Sequence, residues 1–364
     1  MAGKRHLAET LQIAVALLSI VGVVAALVVV PEVRQAIGLD KPTPSASAAP
    51  SPASTLAVFF DDDGSLDGTA GLLYLLSRDD VDVRAITISY GEAHPAVYAQ
   101  HVARLLDDLG TIDIPVGAGQ DAPLAGNNAF PHWMRELSDE FWTVSLPNQD
   151  RNYRVENAVQ LMATAIIDNP TAVTVFSSGS LTNLALALQE NPDIRNNITA
   201  VYVMGGAVDV PGNIRDLEPA STNSMAEWNL YVDPRAADQV FTSGLPLYLV
   251  PLDATNQVTI NIEDTRLWRT GGKAAGYAAD LYDHSFVNYG MQVTEIWDLL
   301  ATVVMVDPDL CRFQPRSVKV VTDQGNAAGQ LITLPDGAAN VSVCLQPDPD
   351  LVRQRMIEVF SGSR

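Results

Sequence analysis

The chain reads as an α/β protein: an open, mostly parallel, twisted sheet with helices on both faces and an antiparallel edge towards its C-terminus. Three observations carry that reading. Short apolar runs at residues 56–60, 83–89, 172–176, 200–204 and 247–251 alternate with helical stretches at 98–109, 157–167 and 182–189. The runs are largely apolar, without the strict alternation of a half-exposed strand, which suits strands covered by helices on each side. The last third differs: short strands at 317–322, 330–334 and 341–345 are separated by Gly and Asp-Gly turns and closed by a helix over 350–360. That spacing reads as antiparallel.

Composition supports a globular chain and limits its partners. Of 364 residues, 47% are apolar, too many for a disordered segment. There are 43 Asp+Glu against 22 Lys+Arg, a formal charge of −21. A surplus of that size argues against a nucleic-acid polymer as partner, because phosphates must be met by Lys and Arg. Two cysteines, Cys311 and Cys344, cannot build a disulfide framework or a Cys-rich zinc site. They form either a single disulfide or two separate thiols.

The N-terminal part has a different character. Residues 11–30 are 20 in number and uncharged, and a helix of that length spans roughly 30 Å, one bilayer core. Lys4 and Arg5 precede it. The expectation is a membrane-anchored, single-pass protein: residues 1–10 as a short cytoplasmic N-terminus, 11–30 as a transmembrane signal anchor, 31–55 as a Pro/Ala/Ser-rich tether and 56–364 as an extracytoplasmic domain. Residues 1–55 hold 4 basic and 3 acidic side chains, leaving 18 against 40 for the rest. The acid surplus therefore belongs to the domain, which is long enough to bury a sizeable core and to form a homo-oligomer.

Chemistry concentrates at the strand ends, where ligands of open α/β sheets sit. Asp61-Asp62-Asp63-Gly64-Ser65-Leu66-Asp67 follows the first strand directly. Carboxylates so close repel and are costly to bury unless a cation or a hydroxyl-rich ligand compensates. The plain alternative is an acidic solvent turn capping the next helix. Ser177-Ser178-Gly179-Ser180 lies at another strand end and is not the G-x-S-x-G nucleophile elbow. Glu227-Trp228-Asn229 places a carboxylate and a carboxamide two apart beside an aromatic. That suits sugar hydroxyls, since the acid accepts and the amide both accepts and donates, and it equally suits a capped helix start. Trp297-Asp298 precedes an apolar helical run that Asp298 could simply cap.

Together and in this order, VFFDDDGSLDGTAGLLYLL, AITISYGE, SSGSLTNLALAL, VYVMGGAV, AEWNLYVDP and WDLLATVVMVDP resemble the nucleoside hydrolase family, the inosine–uridine preferring N-ribohydrolases, over residues 56–360. The resemblance implies calcium-dependent hydrolysis of the N-glycosidic bond of a small nucleoside by a metal-activated water, through an oxocarbenium-like transition state. It implies Asp63 as metal-bound general base, and Asp298 as metal ligand touching ribose. It makes the Ser178 carbonyl a further calcium ligand, and Asp67, Glu227 and Asn229 ribose contacts. An asparagine from the preceding loop joins them, Asn223 or Asn213. Three departures qualify this. Gly68 stands where the family has a second metal-binding aspartate. Glu92 replaces an asparagine at the ribose, as a substrate contact and a candidate metal ligand. Trp297 replaces a histidine that protonates the leaving base, and is free to stack on the base. His94, His132 and His284 are expected at the surface. The departures also admit a second function, a ribose- or nucleoside-binding domain of the same fold that has lost turnover.

Overall fold

The structure, a computed structural model, describes residues 55–362. The expected anchor at 11–30 and the tether up to residue 54 lie outside the described residues. The membrane-anchored, single-pass localisation needs correcting. Among the described residues no helix is long and apolar enough to cross a membrane. The longest of them, Pro95–Leu109, has 15 residues and carries Arg104, Asp107 and Asp108; at about 22 Å it is shorter than a bilayer core of roughly 30 Å.

The strands are β1 (Leu56–Asp62), β2 (Val81–Ile88), β3 (Val116–Ala118), β4 (Glu156–Asn157), β5 (Val173–Ser177), β6 (Ile198–Met204), β7 (Leu247–Val250), β8 (Thr259–Asn261), β9 (Val293–Glu295), β10 (Cys311–Arg316), β11 (Val318–Val320), β12 (Leu331–Thr333) and β13 (Val341–Pro347). Nine of them form one sheet in the order β10-β13-β7-β6-β5-β1-β2-β3-β4. Its neighbours are parallel except β10–β13. The chain leaves β1 towards β4 on one side, then returns to β5 and proceeds to β7 on the other. The order therefore reverses between β1 and β5, and a crevice opens there beyond the strands' carboxyl ends.

Residue alternation along β1 shows why this sheet needs covering twice. Val58 and Phe60 enter one apolar cluster, while Ala57 and Phe59 enter the other on the opposite face. The helices that matter for the site are α1 (Leu66–Leu76), α2 (Pro95–Leu109), α3 (His132–Asp139), α4 (Trp228–Val232), α5 (Lys273–Asp283) and α6 (Asp298–Val306). Helix α1 packs against α5 and α6. It begins at Leu66 with Ser65 as its N-cap, whose hydroxyl accepts from the Gly68 N–H.

The C-terminal edge is antiparallel, but β10 makes it so. Its sequence CRFQPR, with Pro315 and two arginines, carries no strand pattern, and an edge strand tolerates the proline. Strands β11 and β12 pair with each other alone, and β13 joins the main sheet parallel to β7. Cys311 and Cys344 form a disulfide between β10 and β13, closing 33 residues. By the chain-entropy argument such a loop is worth about 3–4 kcal/mol.

Candidate active site

The end of β1 divides its carboxylates by direction. Asp61 pairs in register with Thr87 of β2 and Ser177 of β5, and accepts from their hydroxyls at 2.6 and 3.2 Å and from Asn183 Nδ2 at 2.8 Å. It is a satisfied structural group. Asp62 points the other way, taking Gly64 N–H at 3.0 Å and the Ser178 hydroxyl at 3.0 Å. Its carboxylate lies under the first turn of α1, and a Cβ at position 68 would collide with Oδ1. Gly68 is therefore required. Asp62 thus fills the space that a side chain at position 68 would take, behind the residues that line the cavity, and the sequence pattern did not single it out.

Asp63 follows in the turn. Its Oδ2 takes only the Glu92 N–H, at 3.2 Å, and Gly91 must be glycine because a Cβ there would run into that oxygen. Asp63 thus keeps unused lone pairs facing the cavity. Asp67 differs from what the resemblance implies. Its oxygens accept from the Tyr282 hydroxyl and from the N–H groups of Trp297 (2.6 Å), Asp298 (2.5 Å) and Leu299 (3.3 Å). So many donors hold it on the N-terminus of α6, where a carboxylate is favoured, and leave little capacity for a ribose hydroxyl. It aims Asp298, whose Oδ2 accepts from Ser65 at 2.6 Å.

On the β5–β6 side, Ser178 is buried beside Asp62, and its carbonyl accepts from Asn229 Nδ2 at 3.2 Å. Glu227 caps α4, accepting from Asn229 N–H at 2.8 Å, Leu230 N–H at 3.3 Å and Gly206 N–H at 2.8 Å. Asn229 keeps its side-chain oxygen free. The choice left open by loop length resolves in space. Asn223 is tied to Ala328 and to the N–H groups of Met225 and Ala226 and does not line the cavity. Asn213 does.

These groups share one cavity of about 340 Å³. Asp63, Glu92, Ser178, Glu227, Asn229 and Asp298 form its floor, and Phe130, Trp133, Trp142, Trp228, Tyr289 and Trp297 its walls. Phe130 and Trp228 stack at 4.7 Å, and Trp142 is pinned by its indole N–H to the Gly64 carbonyl at 3.0 Å. Apart from Trp297 and Trp228, these aromatics lie in segments without motif or periodicity, so nothing in the sequence placed them together. His284 was expected at the surface. It is buried at the wall instead, with Nδ1 bonded to Thr143 and Asn288 and Nε2 without a protein partner.

Electrostatically the floor is a concentration of acids in an apolar body. Burial raises Asp62 and Glu227 to about 7 and Asp67 to about 6. Glu92 rises to about 8 through burial and then the charges of Asp62, Asp67 and Glu227. Asp63 and Asp298 stand well above the usual carboxylate range, through burial first and neighbouring acids second. Hard oxygen donors, repelling one another with no lysine or arginine lining the cavity among the described residues, are the chemistry calcium takes. Among the described residues, no three acidic, histidine or cysteine side chains meet with metal-ligand spacing. The donor set fits the ion in kind, while Ser65, Ser178 and backbone N–H groups hold several of the oxygens.

Comparison with known proteins agrees with this geometry. Residues 58–354 match the family model described as inosine-uridine preferring nucleoside hydrolase. The chain is 31% identical over 323 residues to the pyrimidine-specific ribonucleoside hydrolase RihA of Citrobacter koseri, covering 83% of this chain and 98% of that protein. It is 32% identical to RihA of Shigella boydii, covering 84% and 97%. Among solved structures, a purine-preferring ribonucleoside hydrolase from Gardnerella vaginalis superposes with a TM-score of 0.73 at 25% identity, covering 84% of this chain and 98% of that one.

Proposed function

The chain belongs to the inosine-uridine preferring nucleoside hydrolase family and is an N-glycosidic bond hydrolase of ribonucleosides; we propose that the reaction runs in the β1–β5 cavity, uses calcium and is started by Asp63. The observation that carries this is the union of an acidic, hydrogen-bonding floor with aromatic walls in one cavity at the sheet's switch point. Ribose needs the first and a base needs the second.

Asp63 takes the proton of the attacking water. It has one protein donor, which leaves lone pairs free to accept that proton. Asp298 and Glu92 favour the positive charge that develops on the sugar as the C1′–N bond opens. Glu227, Asn229 and Asn213 hold ribose hydroxyls, Asp67 positions Asp298, and Trp297 stacks on the base. Asp63, Asp298 and the Ser178 carbonyl would hold calcium, with Glu92 and Asp62 adding negative charge beside them. Calcium bound there supplies a lowered pKa and a fixed orientation for water. The working unit is residues 56–364.

The test is ribose release from uridine, cytidine, inosine and adenosine by the purified chain with calcium. Release that is lost in Asp63→Ala supports the assignment. Stoichiometric calcium binding without turnover on any of the four would instead favour a nucleoside-binding domain.

A further inference from the structure

Resting on that hydrolase assignment, we propose that the cavity takes cationic nucleosides, in which ribose is joined to a positively charged ring nitrogen of the N-ribosylpyridinium kind, and cleaves them in preference to neutral nucleosides.

Charge is the first reason. Asp63, Asp67, Glu92, Asp216, Glu227 and Asp298 line the cavity, and among the described residues no lysine or arginine does. Burial makes several of these acids hold protons near neutral pH, and the negative charge that remains has no basic side chain on the lining to offset it. A ligand carrying a positive charge is therefore drawn in, and the low-dielectric surroundings strengthen the attraction. The walls are the second reason. Trp133, Trp142, Trp228, Trp297 and Tyr289 line the cavity, and aromatic rings attract a flat cation through their quadrupoles.

The third reason is proton supply. A neutral base leaves with an electron pair and must be protonated or stabilised as an anion. The residue before Asp298 is Trp297, whose indole N–H is no acid. The one imidazole on the wall is His284. Its Nδ1 is taken up by Thr143 at 3.2 Å and Asn288 at 2.9 Å, and burial lowers its pKa towards the neutral form. Its Nε2 is buried away from solvent.

A pyridinium leaving group needs no such proton. The C1′–N bond breaks with its electron pair returning to the ring nitrogen, which becomes neutral. Water forms the new C1′–O bond, and its proton passes to Asp63 and then to solvent. The products are ribose, a neutral pyridine and one proton, which balances the cation and water consumed.

The experiment compares steady-state kinetics of the full, calcium-supplied chain on N-ribosylnicotinamide, uridine, inosine and the neutral p-nitrophenyl β-riboside, whose leaving group also needs no acid. The expected result is a kcat/KM for N-ribosylnicotinamide at least tenfold above uridine and inosine, with a KM below that of p-nitrophenyl riboside. Asp216→Asn, at the exposed cavity mouth, should raise KM for the cation about threefold and leave uridine within twofold. Uridine or inosine cleaved as efficiently as the cation overturns the proposal and leaves the hydrolase assignment standing. An equal KM for p-nitrophenyl riboside overturns the role of charge. Turnover of none of the four overturns both readings.

Discussion

The cavity's floor and its walls are built on opposite principles. The floor hangs from strand ends: Asp63 follows β1 and Ser178 follows β5, Asp61 and Asp62 end β1 beneath them, and each meets a neighbour fixed by strand register or by a glycine that cannot be replaced. The walls come from loops, short helices and a single π-turn, and they keep apolar surface open. Tyr289 is 61% exposed and Trp133 50% exposed. In the proposed reaction the rigid part would carry the chemistry and the adaptable part the base selection, as binding loops on a fixed scaffold generally do.

The largest break in this division is Asp63→Ala. On the floor account kcat falls about 10³-fold, the scale of a lost general base, while thermal unfolding stays cooperative and KM changes little. Next, Gly68→Ala drives a methyl into Asp62 and should cost about 1–3 kcal/mol in chemical denaturation, the range of overpacking. Combining it with Asp62→Ala should recover part of that loss, because the two share one space. On the walls, Trp297→Ala should raise KM for uridine about tenfold, with kcat within threefold, since stacking is worth about 0.5–1.5 kcal/mol beyond burial.

Titration sharpens the same contrast. Asp62, Asp67, Glu92 and Glu227 rise from 3.8 or 4.5 to about 6–8. Their folded state holds protons more tightly than the unfolded chain does. They favour folding fully below pH 4, and that contribution is lost as pH rises through about 6–8. Calcium should therefore raise the melting temperature more at pH 8 than at pH 5, by about 4 °C at a hundredfold excess over its dissociation constant. The smallest effect belongs to Tyr289→Ala. It should raise KM about two- to threefold and leave stability unchanged, because the ring is already in water.

The floor was legible in the sequence because acids at strand ends have few innocent explanations once several strand ends carry them. Asp63, Glu92, Glu227, Asn229 and Asp298 converge in one cavity. Asp62 was not picked out, since only the collision with position 68 reveals its place. Asp67 was assigned to ribose from a pattern, and the donors from Trp297, Asp298 and Leu299 that occupy it depend on where α6 begins. The walls were almost invisible. Phe130, Trp142 and Tyr289 sit in stretches with no period to read, and His284 looks like any polar residue in a helical segment. At the edge, β10 was missed because proline and arginine mask a strand; β13 pairs antiparallel with it, as expected, and its parallel pairing with β7 was not legible in the sequence.

The central claim is that this floor performs ribonucleoside hydrolysis with calcium. The most direct measurement is ribose released from uridine and inosine by purified chain after chelation and again after calcium is restored, beside Asp63→Asn under the same conditions. The account predicts release that disappears on chelation, returns with calcium and stays absent in Asp63→Asn. Ribose release at an unchanged rate in Asp63→Asn would contradict it.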